Sequence, residues 1–169
     1  MLPITDRLRL REMTAADLPA LRAHLQDPEA MRAYEGSLSD AEVDAWLAKN
    51  LARYNSDGFG LWAVELRETG EVIGQCGITR QEIDGESVIE VGYLMTRIHW
   101  HRGYATEAAA ASRDYAFEVL GVPRVYAQVR DTNIPSMNVA IRLGMTVRSR
   151  FVKHYRGIEM PHLAFAIDR

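Results

Sequence analysis

The hydrophobic period of this chain switches twice between residues 88 and 130, and few architectures accommodate that switch. Residues 88–95 alternate as a strand, 103–120 follow a helical period, and 124–130 alternate again. Gly121, with Pro123 two residues beyond it, ends the helix. Two strands joined through so long a helix lie parallel, with a right-handed crossover. The rest of the sheet is built differently. Glu68-Thr69-Gly70 and Asp84-Gly85 are turn sequences that join strands 61–66, 72–80 and 88–95 as hairpins. Residues 5–13 alternate around Leu8 and Leu10, with Arg7, Arg9 and Arg11 opposite, and 146–154 and 160–167 read as two closing strands. Helices are expected over 15–25, over 39–54 behind the capping box Ser39-Asp40-Ala41-Glu42, and over 135–143. In the first of these, Thr14 or Asp17 is the cap and Pro19 is tolerable only in the first turn. The expectation is a mixed α/β chain with one mostly antiparallel sheet of about seven strands, about four flanking helices and one parallel pair. Gly60, Gly74, Gly77 and Gly92 fall in or beside strands, which marks bulges or the close approach of another backbone.

Composition excludes several classes. With 169 residues, 47% hydrophobic and 25% charged, the chain can bury a full core, and 1–169 reads as one domain without repeats or linkers. Twenty Lys and Arg against 23 Asp and Glu leave a formal net charge of −3, too little positive charge to hold nucleic acid in bulk. The single cysteine, Cys76, can form neither an internal disulfide nor a thiolate zinc site. That suits a reducing compartment, so a cytoplasmic location is expected. The start, MLPITDRLRL, lacks the apolar core of a secretory signal, and no apolar run reaches the ~20 residues of a membrane span. No membrane association is expected.

The turn between strand and long helix carries the chemistry. His99-Trp100-His101-Arg102-Gly103-Tyr104-Ala105-Thr106-Glu107 opens a helix whose first N–H groups have no partner within it, and such an end accepts a phosphate. Gly103 and Ala105 let the backbone approach closely. Taken alone, this reads sooner as a loop glycine before a good helix. A P-loop pattern and a GxGxxG fingerprint are both absent. His99 and His101 would share a face on a strand, but without carboxylate or cysteine company they point to phosphate contact or exposure, and no metal is expected.

Ile89-Glu90-Val91-Gly92-Tyr93-Leu94-Met95, followed by Trp100 to Ala108, resembles the motif of the GNAT acetyltransferases, in particular the RimJ/RimL-like branch. Asn133-Ile134-Pro135-Ser136-Met137-Asn138 with Arg142-Leu143-Gly144-Met145 is similar to the later segment of that branch, and Arg7 to Arg11 and Ile73 to Gly77 also fit. Trp100 stands where many members carry Gln or Arg, and the RimJ/RimL-like branch commonly has Trp there. The resemblance implies the GNAT fold and acetyl-CoA as cosubstrate. It implies that the amides of His101, Arg102, Gly103, Tyr104, Ala105 and Thr106 hold the pyrophosphate. It also implies a bulge near Tyr93 to Met95 that splays this strand from 124–130, with pantetheine in the gap along Leu94, Met95 and Thr96. Asn133 and Asn138 lie where members contact the cofactor or order the following turn.

Transfer to an amine needs a neutral nucleophile, a polarised thioester carbonyl and a stabilised thiolate. Amides around Leu94 and Met95 are candidates for the carbonyl contact. Glu90, on one face with Gly92 and Leu94, is the candidate base, directly or through water; its alternative is a surface carboxylate or one that only positions a cationic substrate. Where many members carry a thiolate-assisting Tyr, this chain has Ala140, so Ser136 becomes the candidate, with a helix-capping Ser as its alternative and Tyr93 or Tyr104 as weaker choices. Cys76 reads as a small buried side chain, which favours direct attack over an acyl-cysteine.

Two charge runs remain. Residues 29–71 hold nine acids against four bases, which would make an acidic mouth for a cationic amine, or else a solvated helix face. Residues 142–156 hold five bases and no acid, which suits a cofactor phosphate, an acidic partner, RNA or a charged strand edge. The expected activity is acetyl transfer from acetyl-CoA to a primary amine: a protein N-terminus, a lysine or a small amine. The alternative is a non-catalytic coenzyme A sensor, or a ribosome- or RNA-associated module on the same fold. The oligomeric state stays open, a homodimer included.

Overall fold

The computed structural model describes residues 1–169. The elements are β1 (Leu8–Arg11), α1 (Leu18–Leu25), α2 (Asp40–Ser56), β2 (Leu61–Leu66), β3 (Val72–Ile83), β4 (Glu86–Met95), α3 (Tyr104–Glu118), β5 (Arg124–Arg130), α4 (Ile134–Arg142), β6 (Thr146–Tyr155) and β7 (Ile158–Asp168). All seven strands form one sheet in the order β1-β2-β3-β4-β5-β7-β6. Every neighbouring pair is antiparallel except β4–β5, the parallel pair spanned by the α3 crossover.

Local chemistry explains most of the boundaries. Asp84 and Gly85 both adopt positive φ, 50° and 84°, as a two-residue hairpin matched to strand twist requires. Ser39 Oγ accepts the Glu42 N–H at 3.3 Å while Glu42 accepts the Ser39 N–H at 2.7 Å, which starts α2 as expected. The first helical stretch is divided. Thr14 precedes a 3-10 turn over Ala15–Asp17 and Asp17 precedes α1, neither making a side-chain cap bond to its helix; the Asp17 carboxylate accepts the Thr14 N–H at 2.8 Å, and Pro19 sits in the first turn. β1 is shorter than the alternation of 5–13 suggests, because Thr5 and Arg7 leave the sheet to grip Glu107. At the other end, Arg156 and Gly157 at φ 52° and 74° make a tight turn that lengthens both closing strands.

The sheet is covered on both faces. Along β2, Trp62 and Val64 join the core beneath α3, while Leu61 and Ala63 join the core beneath α1 and α2. α3 meets the sheet through small residues, Ala108, Ala109, Ser112 and Ala116, all buried. This brings Ser112 Oγ to 3.4 Å from Cys76 Sγ. Gly77 allows the tightest strand contact: a Cβ there would lie 2.2 Å from the Gly60 carbonyl oxygen, whose acceptor role for Ile78 N–H fixes it in place. The close-approach reading of the strand glycines therefore holds at Gly77. Replacement Gly77→Ala should destabilise the chain by about 1–3 kcal/mol. Urea unfolding measures this, and an unchanged midpoint would contradict the packing described.

Candidate active site

β4 and β5 share one register pair, Glu90 with Tyr126, and then separate. Both strands are held elsewhere along their length. β4 follows β3 without a break from Gly74↔Met95 to Ile83↔Glu86, and β5 follows β7 from Arg124↔Asp168 to Arg130↔His162. The expected gap is present, but the bulge expected near Tyr93 to Met95 is not. Separation comes instead from the two outer pairings, each of which draws its strand with its own twist.

Register parity shows which main-chain groups face the gap. Thr96 N–H bonds to the Ile73 carbonyl at 2.8 Å, so Thr96, Leu94 and Gly92 turn their amides to β3, while Val91, Tyr93 and Met95 turn theirs toward β5. The gap-facing donor at the end of β4 is thus Met95 N–H, whereas Leu94 turns its amide to β3 and Thr96 has its donor engaged. Trp100 Nε1–H donates to the Met95 carbonyl at 2.8 Å and so ties the end of β4 to the turn before α3. At the fork itself, Glu90 Oε1 accepts the Gln128 N–H at 3.1 Å. One more step of parallel pairing would give that N–H to the Val91 carbonyl. The Glu90 carboxylate takes it instead and ends the ladder.

The turn before α3 is open toward the same side. Its first intrahelical bond runs from Glu107 N–H to the Gly103 carbonyl, which leaves the amides of Tyr104, Ala105 and Thr106 ahead of the helix end. His101 and Gly103 adopt φ 61° and 80°. Arg7 braces this turn: it donates to the Arg102 carbonyl at 2.9 Å, bonds Glu107 at 2.7 Å and lies 4.5 Å over the Tyr104 ring. The residues present therefore suit a pyrophosphate at the helix end. The two histidines differ from expectation. Residues Arg97–His99 form a 3-10 turn and not a strand, so His99 is buried and paired with Glu71 at 3.0 Å, and His101 alone is exposed.

Beyond the gap, under α1 and α2, lies a cavity of 410 Å³ lined by Glu90, Gly92, Tyr93 and Leu94 of β4. Burial raises the Glu90 carboxyl above the usual carboxylate range, although Lys153, the Gln128 N–H and Arg53 pull against it. Tyr93 Oη donates to the Ser136 carbonyl at 2.9 Å and accepts from Ser136 Oγ at 3.1 Å. Burial raises its pKa too, so this phenol stays protonated. The cap of α4 is Asn133, whose Oδ1 accepts the Ser136 N–H at 3.3 Å, so Ser136 is free of the capping role. Ala140 is fully buried, Asn138 is exposed, and the hydroxyl beside α4 comes from Tyr93 across the gap. Alternation along β4 gave this residue little prominence, since it assigns Tyr93 to the face opposite Glu90.

Neither charge run keeps its linear meaning. Glu35 pairs with Arg130, Glu42 with Arg156, Asp40 and Asp44 with Arg22, and Glu65 with Arg9 and Arg11. The cavity wall carries Lys49, Arg53 and Lys153 against Glu90 alone, so it is cationic, which goes against the acidic-mouth reading and leaves the solvated helix face. In the basic stretch, Arg148 pairs with Asp168, Arg150 with Asp131 and Arg156 with Glu42, while Lys153 faces the cavity. No continuous basic surface results from it.

An acetyltransferase (GNAT) domain matches residues 7–146. The chain belongs to the GNAT acetyltransferase family. It is an acetyl-CoA-dependent N-acetyltransferase. YkkB, an uncharacterised protein of Bacillus subtilis, is 38% identical over 143 residues, covering 84% of this chain and 83% of that protein. A solved acetyltransferase from Agrobacterium tumefaciens superposes with a TM-score of 0.83 at 34% identity, over 99% of this chain and 94% of that one. RimL, a ribosomal-protein α-N-acetyltransferase solved with coenzyme A, gives a TM-score of 0.81 over 99% of this chain and 97% of that one. At 16% identity, RimL shares the fold, which matches the RimJ/RimL-like resemblance at that level. None of this chain's helices is long and apolar enough to cross a membrane. For this GNAT enzyme, Gly103→Glu should weaken coenzyme A binding by about 10- to 100-fold in calorimetry, because it adds a carboxylate where amides face phosphate. Gly103→Ala carries the backbone strain alone and should lose less. Unchanged affinity in Gly103→Glu would move the phosphate elsewhere.

Proposed function

We propose that the enzyme transfers the acetyl group of acetyl-CoA to a primary amine by direct attack in a ternary complex, with Glu90 as the base. The observation that carries this reading is the position of Glu90. Its carboxylate sits at the fork between β4 and β5, on the wall of the acceptor cavity, with a proton affinity raised by burial. A carboxylate so tuned takes a proton from an ammonium group, directly or through water, more readily than an exposed one. The amine then forms the N–C bond as the C–S bond breaks. Met95 N–H, turned to the gap, polarises the acetyl oxygen. Tyr93 and Ser136 form a hydroxyl pair that supports the departing sulfur: Ser136 Oγ donates to Tyr93 Oη, and the Tyr93 proton, held by the Ser136 carbonyl in the free enzyme, turns to the thiolate as it forms. The main chain of the first turn of α3 holds the diphosphate, and the gap aims the thioester at the cavity.

Cys76 supports direct attack. Its thiol is fully buried and pushed up to about 12 by burial, which leaves no thiolate to carry an acyl group.

Glu90→Gln tests the base. Its amide oxygen can still accept the Gln128 N–H, so the fork survives while the base is lost. Thiol release from acetyl-CoA, assayed with a panel of amines and N-terminal peptides, should fall by about 10²–10⁴-fold in kcat/KM, with coenzyme A affinity little changed. The base must be ionised to act, so wild-type kcat/KM should fall as pH drops through the raised Glu90 pKa. Glu90→Gln should lack that acid limb. A wild-type rate or an unaltered acid limb in the variant would remove Glu90 from the chemistry. Tyr93→Phe should lower kcat more than it raises KM, since its hydroxyl serves the leaving group. Unchanged kcat there would assign the sulfur contact to Ser136 alone.

A further inference from the structure

The charges facing Glu90 across the acceptor cavity suggest what enters it. Lys49 and Arg53 are four residues apart on α2 and so share one of its faces, and Lys153 approaches from β6 on the opposite wall. None of these three cations forms an ion pair, whereas Glu35, Asp40, Glu42 and Asp44 are held by arginines. Three cations against the one carboxylate of Glu90 leave the cavity with an excess of positive charge, which an anionic group entering it would offset. A second observation points the same way. Gln128, at the fork beside Glu90, has both its side-chain Oε1 and Nε2 buried without a hydrogen-bond partner, and the residue lines this cavity. An amide with unused donor and acceptor capacity in a closed wall calls for a polar ligand group.

We propose that the acceptor is a small amine that carries its own anionic group, held by Lys49, Arg53 and Lys153 while its nitrogen faces Glu90. The inference rests on the transfer chemistry above and names the substrate class of that same cavity. A volume of 410 Å³ suits a small molecule, and apolar walls from Leu25, Met31, Trp46 and Leu94 leave room for a short carbon skeleton. A polyamine or a lysine side chain brings further positive charge into a cationic wall, and nothing there but Glu90 offsets it. For an anionic amine, the cations do two things. They bind the carboxylate or phosphate, and they favour loss of the ammonium proton, so the nucleophile is neutral when the thioester arrives. Arg53 and Lys153 both act on Glu90 electrostatically, so both lie within reach of the group that faces the incoming nitrogen.

Matched acceptors decide the matter. Thiol release from acetyl-CoA is measured with purified enzyme and α-amino acids, their carboxamides, O-phosphoethanolamine, ethanolamine, spermidine and short N-terminal peptides. At least one anionic amine should exceed its neutral partner by about 10- to 100-fold in kcat/KM. The amino acid and phosphate arms show which anion the site takes. Lys153→Met and Arg53→Gln, each checked for coenzyme A binding, should raise KM for the preferred anionic amine and narrow its lead over the neutral partner. If neutral amines, spermidine or peptides react as well as the anionic ones, this inference is overturned and the transfer chemistry stands. If both variants keep the full preference, the cations are not the anion site and the inference is equally overturned. If no amine releases thiol, the transfer reading falls and takes this one with it.

Discussion

Donors on a strand inside a sheet must be met by the neighbouring strand or by something that replaces it. At Gln128 the replacement is the Glu90 carboxylate, and the layout of the site follows from that one substitution. A buried N–H left unpaired would cost about 1–3 kcal/mol, so the sheet opens where a side chain stands ready to take over. The acceptor also has the chemistry of a base. In the proposed mechanism the opening of the gap and the proton transfer are therefore served by the same carboxyl group. β7 keeps β5 on its own course, β3 keeps β4 on another, and the cavity beneath α1 and α2 reaches the fork at Glu90 and Gln128.

Around that opening the structure is braced at several points. Trp100 fixes the end of β4, Arg7 and Thr5 fix Glu107 and with it the first turn of α3, and Tyr93 links β4 to the start of α4 across the gap. These bonds join segments that are distant in the chain. Each limits how far the thioester-aiming elements can drift, and ordering of this kind is what a positioned bimolecular transfer requires.

Much of the fold was legible in the residues. The hairpin at Asp84-Gly85, the capping box at Ser39, the glycine end of α3 and the parallel crossover follow from local rules that operate over a few residues. The family motif, with its Gly103 turn, was equally legible. Other features were not. A bulge was expected near Tyr93 and the register runs straight; His99 was read as exposed or phosphate-bound and is buried against Glu71. Tyr93, placed by alternation opposite Glu90 and named only as a weaker choice for the sulfur, is the hydroxyl partner of Ser136 because a side chain that long reaches across a gap that local periodicity does not register.

Charge shows the division most sharply. Nine acids between residues 29 and 71 and five bases between 142 and 156 are properties of the chain, and they describe the surface only if neighbours in sequence are neighbours in space. Folding brings Glu42 to Arg156 and Glu35 to Arg130, and leaves Lys49, Arg53 and Lys153 facing Glu90. By itself the sequence determined the order of elements, the turns, the helix start that accepts phosphate and the identity of the carboxylate, because each depends on residue type and short spacing. The tertiary structure alone decided where β4 leaves β5, which hydroxyl pairs with Ser136 and what sign of charge lines the cavity. Coulomb energy and hydrogen bonding depend on distance through space, and that distance exists only once the chain is packed.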